Sequence, residues 1–299
     1  MKEFGRLVII GLGLIGGSLA KALKQRDAVR EVVAWGHREA SLRKGIELGV
    51  IDRYSLDLAT AVRDADIVVI ATPTLIAETM LEQLVPLVPA PAVITDVASV
   101  KGNLLRAARR AFGREPANLV LAHPIAGSER SGVAAAQADL FANHRVIVTP
   151  TEHTSDTALA RVEAMWRATG AELSRLDVDR HDAILAATSH LPHIAAYALV
   201  DAFAGDTAQR EIFEYAAGGF RDFTRIASSD PAMWRDIAVA NGDALLEAID
   251  LFVSHLNTMR AAIARGDGDT LFTTFARAKQ ARDQFAELLR KRADNLSSE

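Results

Sequence analysis

The sequence predicts an α/β fold, an N-terminal doubly wound parallel sheet, followed by an all-helical domain. From Arg6 to about Asp177, short runs rich in Val and Ile alternate with helical patterns, as in βαβ units. After Asp177 these runs stop, and Ala- and Leu-rich segments with an apolar spacing of about 3.6 residues take over. The chain has 299 residues, enough for two domains. We predict them at 1–177 and 178–299.

The predicted elements follow this alternation along the chain. Strands are predicted at Leu7–Ile10, Glu31–Trp35, Ile67–Ala71, Ala92–Thr95, Leu119–Ala122, Val146–Thr149 and Ala171–Leu173. Helices are predicted between them at Gly16–Lys24, Glu39–Glu47, Ile76–Val85, Val100–Phe112 and Asp156–Ala168. In the second half, long helices are predicted from Asp243 to Ala264 and from Asp269 to Arg292.

Composition excludes several classes of protein. Lys and Arg number 34 against 38 Asp and Glu, a net charge of −4, whereas proteins that bind nucleic acid usually carry an excess of cations. No uninterrupted apolar run approaches the roughly 18 to 20 residues of a membrane span, so no membrane partner is expected. The absence of cysteine excludes disulfides, thiolate nucleophiles and cysteine-ligated metals. A cytoplasmic location is predicted.

A glycine-rich segment follows the first predicted strand and opens a helix, with the sequence Gly11-Leu12-Gly13-Leu14-Ile15-Gly16. In this context glycines make a tight turn, let the backbone approach a pyrophosphate, and bring helix and strand close together. We therefore predict dinucleotide binding in a Rossmann-type domain, with a purely structural turn as the alternative. The same glycines argue against a signal peptide at residues 7–23.

The position that selects between NAD and NADP is less typical. A fold that binds NAD usually has Asp or Glu at the end of the second strand to bind the ribose hydroxyls. Here Gly36 takes that place, followed by His37 and Arg38, which are suited to a 2′-phosphate. NADP is therefore expected to be accepted alongside NAD. The alternative is that both side chains are solvated loop residues.

Polar residues follow three further predicted strands, where ligands of open α/β sheets bind. These segments are Thr72-Pro73, Asp96–Gly102 and His123–Glu129. A histidine at a strand end before proline neither caps a helix nor fills a core, so His123 is a candidate for function. Ser99 has an available role as the N-cap of the following helix, which is compatible with a ligand contact.

A fourth polar segment, Ser189–His193, lies in the helical half. Ser189 and His193 are four residues apart and are predicted to share a helix face. His190 and His193 are the candidates for a zinc site, but no HExxH pattern or nearby acidic ligand supports one. No metal is predicted.

Together these segments resemble the prephenate/arogenate dehydrogenase family of tyrosine biosynthesis. The resemblance spans nearly the whole chain and rests on GLGLIG at 11–16, DVASVKG at 96–102, HPIAGSE at 123–129, SHLPH at 189–193 and GGFRDFTRIASSDPAMW at 218–234. Ser128 stands where the family commonly has Thr and keeps the hydroxyl. The resemblance implies a Rossmann domain, a helical domain that forms a homodimer, and oxidative decarboxylation of prephenate or arogenate with hydride transfer to NAD(P).

The resemblance also implies roles for individual residues. His123 would be the base for the ring hydroxyl, and Arg225, rather than Arg221, would bind a substrate carboxylate. The remaining substrate-binding residues would be Ser99, Ser128, Ser189, His193, Gly218 and Trp234. Cofactor binding would fall to Gly11, Gly13, Leu14, Ile15, Gly16, His37, Arg38, Thr72, Pro73 and Ser99. For Trp234, helix packing alone is an equal alternative.

Two other functions stay open on the sequence. One is another two-domain NAD(P)-dependent oxidoreductase, of the 3-hydroxyacid dehydrogenase or imine reductase type. Its catalytic lysine has no candidate here, because Lys279 and Lys291 lie late in a solvated helix. The other is a non-catalytic dinucleotide sensor, which needs the glycines but not both His123 and Arg225. The sequence does not decide between prephenate and arogenate.

Overall fold

The computed structural model describes residues 2–128, 130–204 and 213–296. The Cα positions cluster into two compact units, Met1–Leu245 and Leu246–Glu299. The first holds the whole sheet together with the helices that follow it, and the second holds most of two long helices. The predicted boundary near Asp177 is not tested by this division and stays a prediction.

Eight strands form one sheet in the order β3-β2-β1-β4-β5-β6-β7-β8. They are β1 Phe4–Ile10, β2 Val29–Trp35, β3 Arg53–Ser55, β4 Ile67–Ile70, β5 Val93–Asp96, β6 Leu119–Pro124, β7 Arg145–Thr149 and β8 Glu172–Arg175. All neighbouring pairs are parallel except β6 and β7. The predicted class, an α/β sheet followed by helices, is confirmed, with one antiparallel pair in the sheet.

The helices of the first half are α1 Leu14–Gln25, α2 Glu39–Glu47, α3 Leu58–Val62, α4 Thr74–Leu84, α5 Gly102–Phe112 and α6 Asp156–Arg167. Those that follow are α7 Val178–Leu185, α8 Leu191–Ala202, α9 Gly218–Thr224, α10 Pro231–Ala240, α11 Gly242–Arg265 and α12 Gly268–Leu296. One π-helical turn, Ala186–His190, joins α7 to α8, and a 3₁₀ helix, Arg225–Ser228, follows α9. The long helices predicted near the C-terminus are present as α11 and α12.

Three features depart from the predicted elements. β3 and α3 were not predicted, since β3 has three residues and α3 only five, too few for a periodic pattern. The antiparallel β6–β7 pair also departs from the predicted parallel sheet. The connection between these strands contains a 3₁₀ turn, Val133–Ala135, in place of a crossover helix, and antiparallel strands need no such helix.

Burial on both faces explains why the central strands are almost wholly apolar. Along β1, Leu7 and Ile9 point into one hydrophobic cluster while Val8 and Ile10 point into the other. Strand β1 lies between β2 and β4. From β1 the chain first adds strands on one side of the sheet and then, from β4 onward, on the other side, so the strand order reverses here. In open α/β sheets the crevice at such a reversal, outside the carboxyl ends of the strands, is where ligands bind.

The helical stretch Val178–Ala202 is long and apolar enough, by length and composition, to cross a membrane. Core helices of soluble proteins pass the same test. His181, Asp182 and His190 on this stretch are buried and make hydrogen bonds within Met1–Leu245. The expectation that the chain has no membrane partner is not tested by this finding.

Candidate active site

The glycine turn between β1 and α1 separates structural from ligand-facing positions. Gly11 has a φ of +97°, and a Cβ there would lie 2.8 Å from the Ala71 carbonyl oxygen. A Cβ at Gly16 would lie 2.7 Å from the Ile9 side chain, so this glycine allows α1 to pack closely on β1. Nothing lies within 4 Å of a Cβ built at Gly13. Gly13 therefore leaves open space at the amino end of α1.

The amino end of α1 fits a dinucleotide. Leu14 and Ile15 form its first turn, and no side chain caps the helix at Gly13, so the turn presents backbone N–H groups suited to a pyrophosphate. Thr72, two residues after β4, places its methyl carbon where a Cβ on Gly11 would lie, and its buried hydroxyl has no partner among the described residues. Pro73 begins α4 as its N-cap. These groups line the crevice between β1 and β4.

The residues after β2, His37 and Arg38, lie in an exposed loop. His37 stands edge-on to Trp35, with ring centroids 4.7 Å apart, and Arg38 is the N-cap of α2. Arg38 is exposed and has no ion pair or hydrogen bond through its side chain to the described part of the chain. Glu39, the first acid after the strand, already accepts hydrogen bonds from Tyr54 and Arg43, which lower the pKa of its carboxyl group.

His123 lies at the carboxyl end of β6, one residue before Pro124, and only 8% of it is exposed. Its Nδ1 is 3.0 Å from Nε2 of His181 on α7. Nδ1 of His181 is in turn 2.7 Å from Oδ1 of Asp182. The structure thus brings a histidine of the sheet into a hydrogen-bonded row with two residues of the helical half that sequence reasoning missed.

The carboxylate of Asp182 also caps α5. It accepts the backbone N–H of Lys101 at 2.9 Å and that of Gly102 at 2.7 Å. Helix α5 begins at Gly102 with Lys101 as N-cap, so the expectation that Ser99 caps it is wrong. A side chain distant in sequence supplies the cap, and Ser99 is left half-buried in the loop between β5 and α5.

A fully buried ion pair lies beneath His123. Nζ of Lys101 donates to Asp96 and, at 2.8 Å, to the Ala122 carbonyl oxygen. Asp96 also accepts from the backbone N–H groups of Ala98 at 2.8 Å and Ala122 at 3.1 Å. The pair therefore fixes the end of β5 against the end of β6, next to His123.

The surroundings of His123 favour the neutral imidazole. Burial holds the pKa of His123 well below its ordinary value, because desolvation disfavours the charged form. His181, Lys101 and His190 act in the same direction through charge repulsion. A neutral imidazole is what a general base must be before it accepts a proton.

The helical half supplies a second group of predicted residues. His193 stacks on Trp234 with ring centroids 3.6 Å apart, and its Nδ1 donates to the backbone oxygen of Ser189 at 2.9 Å. Burial is the main cause that lowers the pKa of His193, and the charge of Arg225 adds to it. Arg225, an exposed residue at the start of the 3₁₀ helix, thus lies near His193.

His190 connects this group to the buried row. Its Nδ1 is 3.0 Å from Nδ2 of Asn241, which also donates to the backbone oxygen of Asp182 at 2.9 Å. Its ring stands edge-on to Trp234, with centroids 6.1 Å apart. Burial lowers the pKa of His190 to about 4. His190 and His193 make separate contacts, and in the part of the chain that the structure describes no three metal-ligating side chains are clustered.

Ser128 and Gly218, two of the predicted substrate residues, lie at exposed positions. Ser128 is exposed, and its hydroxyl accepts the backbone N–H of Arg130 at 3.2 Å within its own loop. Gly218, exposed, begins α9. Glu129, the last residue of the HPIAGSE segment, lies outside the described residues. The roles assigned to Ser128 and Gly218 stay predictions.

Comparisons with known proteins identify the family. A family model for the nucleotide-binding domain of prephenate dehydrogenase matches residues 19–175, and one for the dimerization domain of prephenate dehydrogenase matches residues 177–277. The chain belongs to the prephenate dehydrogenase family. Membership establishes an NAD(P)-dependent oxidative decarboxylation in tyrosine biosynthesis, as the motifs imply, and makes the chain an enzyme rather than a dinucleotide sensor.

Relatives in the prephenate dehydrogenase family are named for different substrates. The chain is 35% identical to a cyclohexadienyl dehydrogenase of Zymomonas mobilis, over 94% of this chain and 96% of the relative. It is 36% identical to a prephenate dehydrogenase of Bacillus subtilis, over 93% of this chain and 75% of the relative.

Solved structures of the family share the fold. A prephenate dehydrogenase from Aquifex aeolicus, in complex with hydroxyphenyl propionate and NAD+, is 32% identical with a TM-score of 0.87, covering 95% of this chain and 98% of that one. A Synechocystis arogenate dehydrogenase is 28% identical with a TM-score of 0.80, covering 94% and 99%.

Proposed function

We propose that this chain oxidises the ring carbinol of prephenate or arogenate and that His123 is the base that takes the hydroxyl proton. The observation that carries the assignment is the position of His123. It is buried, held neutral, and placed at the carboxyl end of β6, on the sheet edge where the glycine turn and Thr72 also lie. Among the described residues that the motifs single out, none other combines these properties.

The residue types suit this chemistry. When bound, the nicotinamide accepts a hydride from the carbinol carbon. The hydroxyl on that carbon must lose its proton at the same time, and the unprotonated ring nitrogen of His123 is suited to receive it. The carboxylate para to the ketone that develops is then lost as carbon dioxide, and the electron pair of the broken C–C bond passes through the ring to the ketone oxygen, which takes up a proton and leaves an aromatic phenol. A single positioned base is sufficient for the protein's part in proton transfer.

Replacement of His123 by Asn should lower kcat by about 10²- to 10⁴-fold with little change in KM. With the parent enzyme, kcat should stay level through neutral pH and fall only as the pH drops through the lowered pKa of His123, because protonation removes the base. Formation of reduced nicotinamide from prephenate and from arogenate, followed by absorbance, measures both. His153→Asn, at an exposed loop histidine, is the matched control. Near-normal turnover of His123→Asn at every pH would exclude this base.

Arg225 is proposed to bind a carboxylate of the substrate. Both candidate substrates are anions and the chain has a net charge of −4, so a local cation has to attract them. The neighbouring imidazole is His193, which stacks on Trp234. The proposed pocket is completed by hydroxyls and small or flat side chains at Ser99, Ser128, Ser189, His193, Gly218 and Trp234.

Arg225→Ala should raise KM at least about tenfold and change kcat much less, since the lost contact is already made in the ground state. Arg225→Lys should recover part of the loss, because an ammonium keeps the charge without the planar fork. Arg221→Ala is the matched control, since Arg221 is an exposed arginine of the adjacent α9 that pairs with Asp222 at 3.2 Å. If Arg221→Ala raises KM and Arg225→Ala does not, the anchor is Arg221. Steady-state kinetics decides.

The cofactor proposal is that NADP is accepted together with NAD, through His37 and Arg38. Support comes from the exposed Arg38 guanidinium, from Gly36 in place of an acid, and from the engagement of Glu39 by Arg43 and Tyr54. A carboxylate free to repel a 2′-phosphate is therefore missing at this strand end among the described residues. The rest of the dinucleotide is assigned to Gly11, Gly13, Leu14, Ile15, Gly16, Thr72, Pro73 and Ser99.

Arg38→Ala should lower kcat/KM with NADP about tenfold or more relative to NAD, the effect of losing a charge-assisted hydrogen bond. Gly36→Asp should shift the ratio the same way by repelling the phosphate. The nearest atom to a Cβ at Gly36 is Leu42 Cδ2 at 3.7 Å, so the substitution fits. Arg30→Ala, at an exposed arginine near the amino end of β2 and so at the other end of the strand from this loop, should leave the ratio unchanged. An unchanged ratio for Arg38→Ala would refute the assignment.

We also propose a cytoplasmic homodimer with its dimer contacts in the helical domain, residues 178–299. Support comes from the family model, which is named for dimerization, and from apolar side chains left exposed on α11 and α12, among them Leu251, Phe272, Phe275 and Leu288. Large apolar surfaces of this kind mark interfaces between protein chains.

Sedimentation over a range of concentrations should show a dimer. Phe272 is 74% exposed in the single chain, and Phe272→Asp should raise the dimer Kd at least about tenfold, because a charge buried in the contact lacks a partner. Leu56→Asp, at an exposed leucine of the Rossmann domain, is the control. A parent protein that stays monomeric at every concentration would contradict the proposal.

A further inference from the structure

We infer that His181 and Asp182 are positioning residues that hold His123 in the tautomer with its proton on Nδ1, so that Nε2 is the basic atom. The inference rests on the proposed role of His123 as the base. It concerns two residues that make no contribution to the motifs recognised in the sequence. The row His123–His181–Asp182 carries the argument, with ring nitrogens and a carboxylate oxygen 3.0 Å and 2.7 Å apart.

Asp182 defines the direction of the row. Its carboxylate oxygens face the backbone N–H groups of Lys101 and Gly102 at the amino end of α5. Together with His181 these groups hold the pKa of Asp182 below its ordinary value, despite burial. An ionised carboxylate only accepts hydrogen bonds. Nδ1 of His181 must therefore carry the proton that lies between it and Asp182.

The proton on His181 then decides the tautomer of His123. Burial lowers the pKa of His181, and Lys101 opposes a second positive charge, so the ring is neutral. A neutral imidazole has one N–H, which makes Nε2 of His181 an acceptor. Nδ1 of His123, at 3.0 Å, is the donor to it. His123 is itself neutral, so its Nε2 has a free lone pair.

This assignment fits the proton-transfer step. The O–H bond of the substrate breaks and an N–H bond forms at Nε2 of His123, while the electron pair of the C–H bond leaves with its hydrogen as hydride, for which the nicotinamide would be the acceptor. The resulting imidazolium still donates from Nδ1 to His181, and that hydrogen bond becomes charge-assisted. No proton has to leave Nδ1. The opposite tautomer would have a proton at Nε2 and could not act as a base there.

The first experiment observes the tautomer directly. Nitrogen-15 NMR of the parent enzyme, labelled at histidine, distinguishes a protonated ring nitrogen from a bare one, and His123→Asn identifies the signals of His123. We expect a proton on Nδ1 and a bare Nε2 in His123, and a bare Nε2 in His181. A proton on Nε2 of His123 in the parent enzyme overturns the inference, whatever any variant does.

The second experiment removes the acceptor and restores it. His181→Leu should lower kcat at least about 10²-fold with KM changed less than about threefold, because the ring of His123 loses the partner that fixes its tautomer. His181→Gln offers an amide oxygen to the same N–H and should recover at least about tenfold of this loss. Loss of folded structure alone would not produce such a split between kcat and KM or such a rescue.

Asn241→Leu is the matched control, since it also removes buried hydrogen bonds beside Asp182 but leaves the row of three residues intact. It should leave the nitrogen-15 signals of His123 unchanged, whereas His181→Leu should shift them. If His181→Leu keeps normal turnover while His123→Asn is inactive, the inference fails and the proposed function stands. If His123→Asn is itself active, the proposed base is wrong.

Discussion

The carboxylate of Asp182 joins parts of the chain that are about 80 residues apart. It accepts the N–H groups of Lys101 and Gly102 from the α/β half and the ring N–H of His181 from its own helix. A helix amino end needs an acceptor for its free N–H groups, and a buried carboxylate needs donors. Each half of the site satisfies the requirement of the other. The position of α7 against the sheet depends on this exchange, and so does the contact of His181 with His123.

The ion pair between Asp96 and Lys101 adds a second constraint at the same place. Both side chains are completely buried, and removal of one partner from such a pair typically costs about 3–5 kcal/mol, because the other charge stays behind. Apolar replacements of buried ion pairs are often as stable, but an apolar pair would not bond both the N–H and the carbonyl oxygen of Ala122. The charges therefore fix the backbone immediately before His123, which is a demand of geometry more than of stability.

Much of this arrangement follows from local sequence signals. The Val- and Ile-rich runs predict β1, β2 and β4 because these strands are buried on both faces, and the glycine turn is readable because each glycine meets a distinct steric demand. His123 could be singled out as a polar residue at a strand end. Charged residues in an apolar setting, such as Asp96 and Lys101, are the signal that could have revealed the buried pair.

Other features depend on contacts that no local pattern encodes. The cap on α5 comes from α7, so a search for a nearby Ser or Asp selects Ser99 wrongly. His181 and Asp182 are polar residues near the start of a helix, and such residues are usually exposed. Only the tertiary structure shows that both are buried. The antiparallel direction of β7 likewise goes with the connection that precedes it, whose described residues contain a 3₁₀ turn in place of a crossover helix.

The π-helical turn at Ala186–His190 changes the direction in which the side chains on either side of it face. A π-turn holds one more residue than an α-helical turn, so the side chains after it are rotated by about 100° relative to an uninterrupted α-helix. His181 lies before the turn and His193 after it. The same continuous helix can thus place the side chain of His181 toward the sheet and that of His193 against Trp234. Shortening the turn by one residue would rotate the second face away while the row that ends at Asp182 stayed in register.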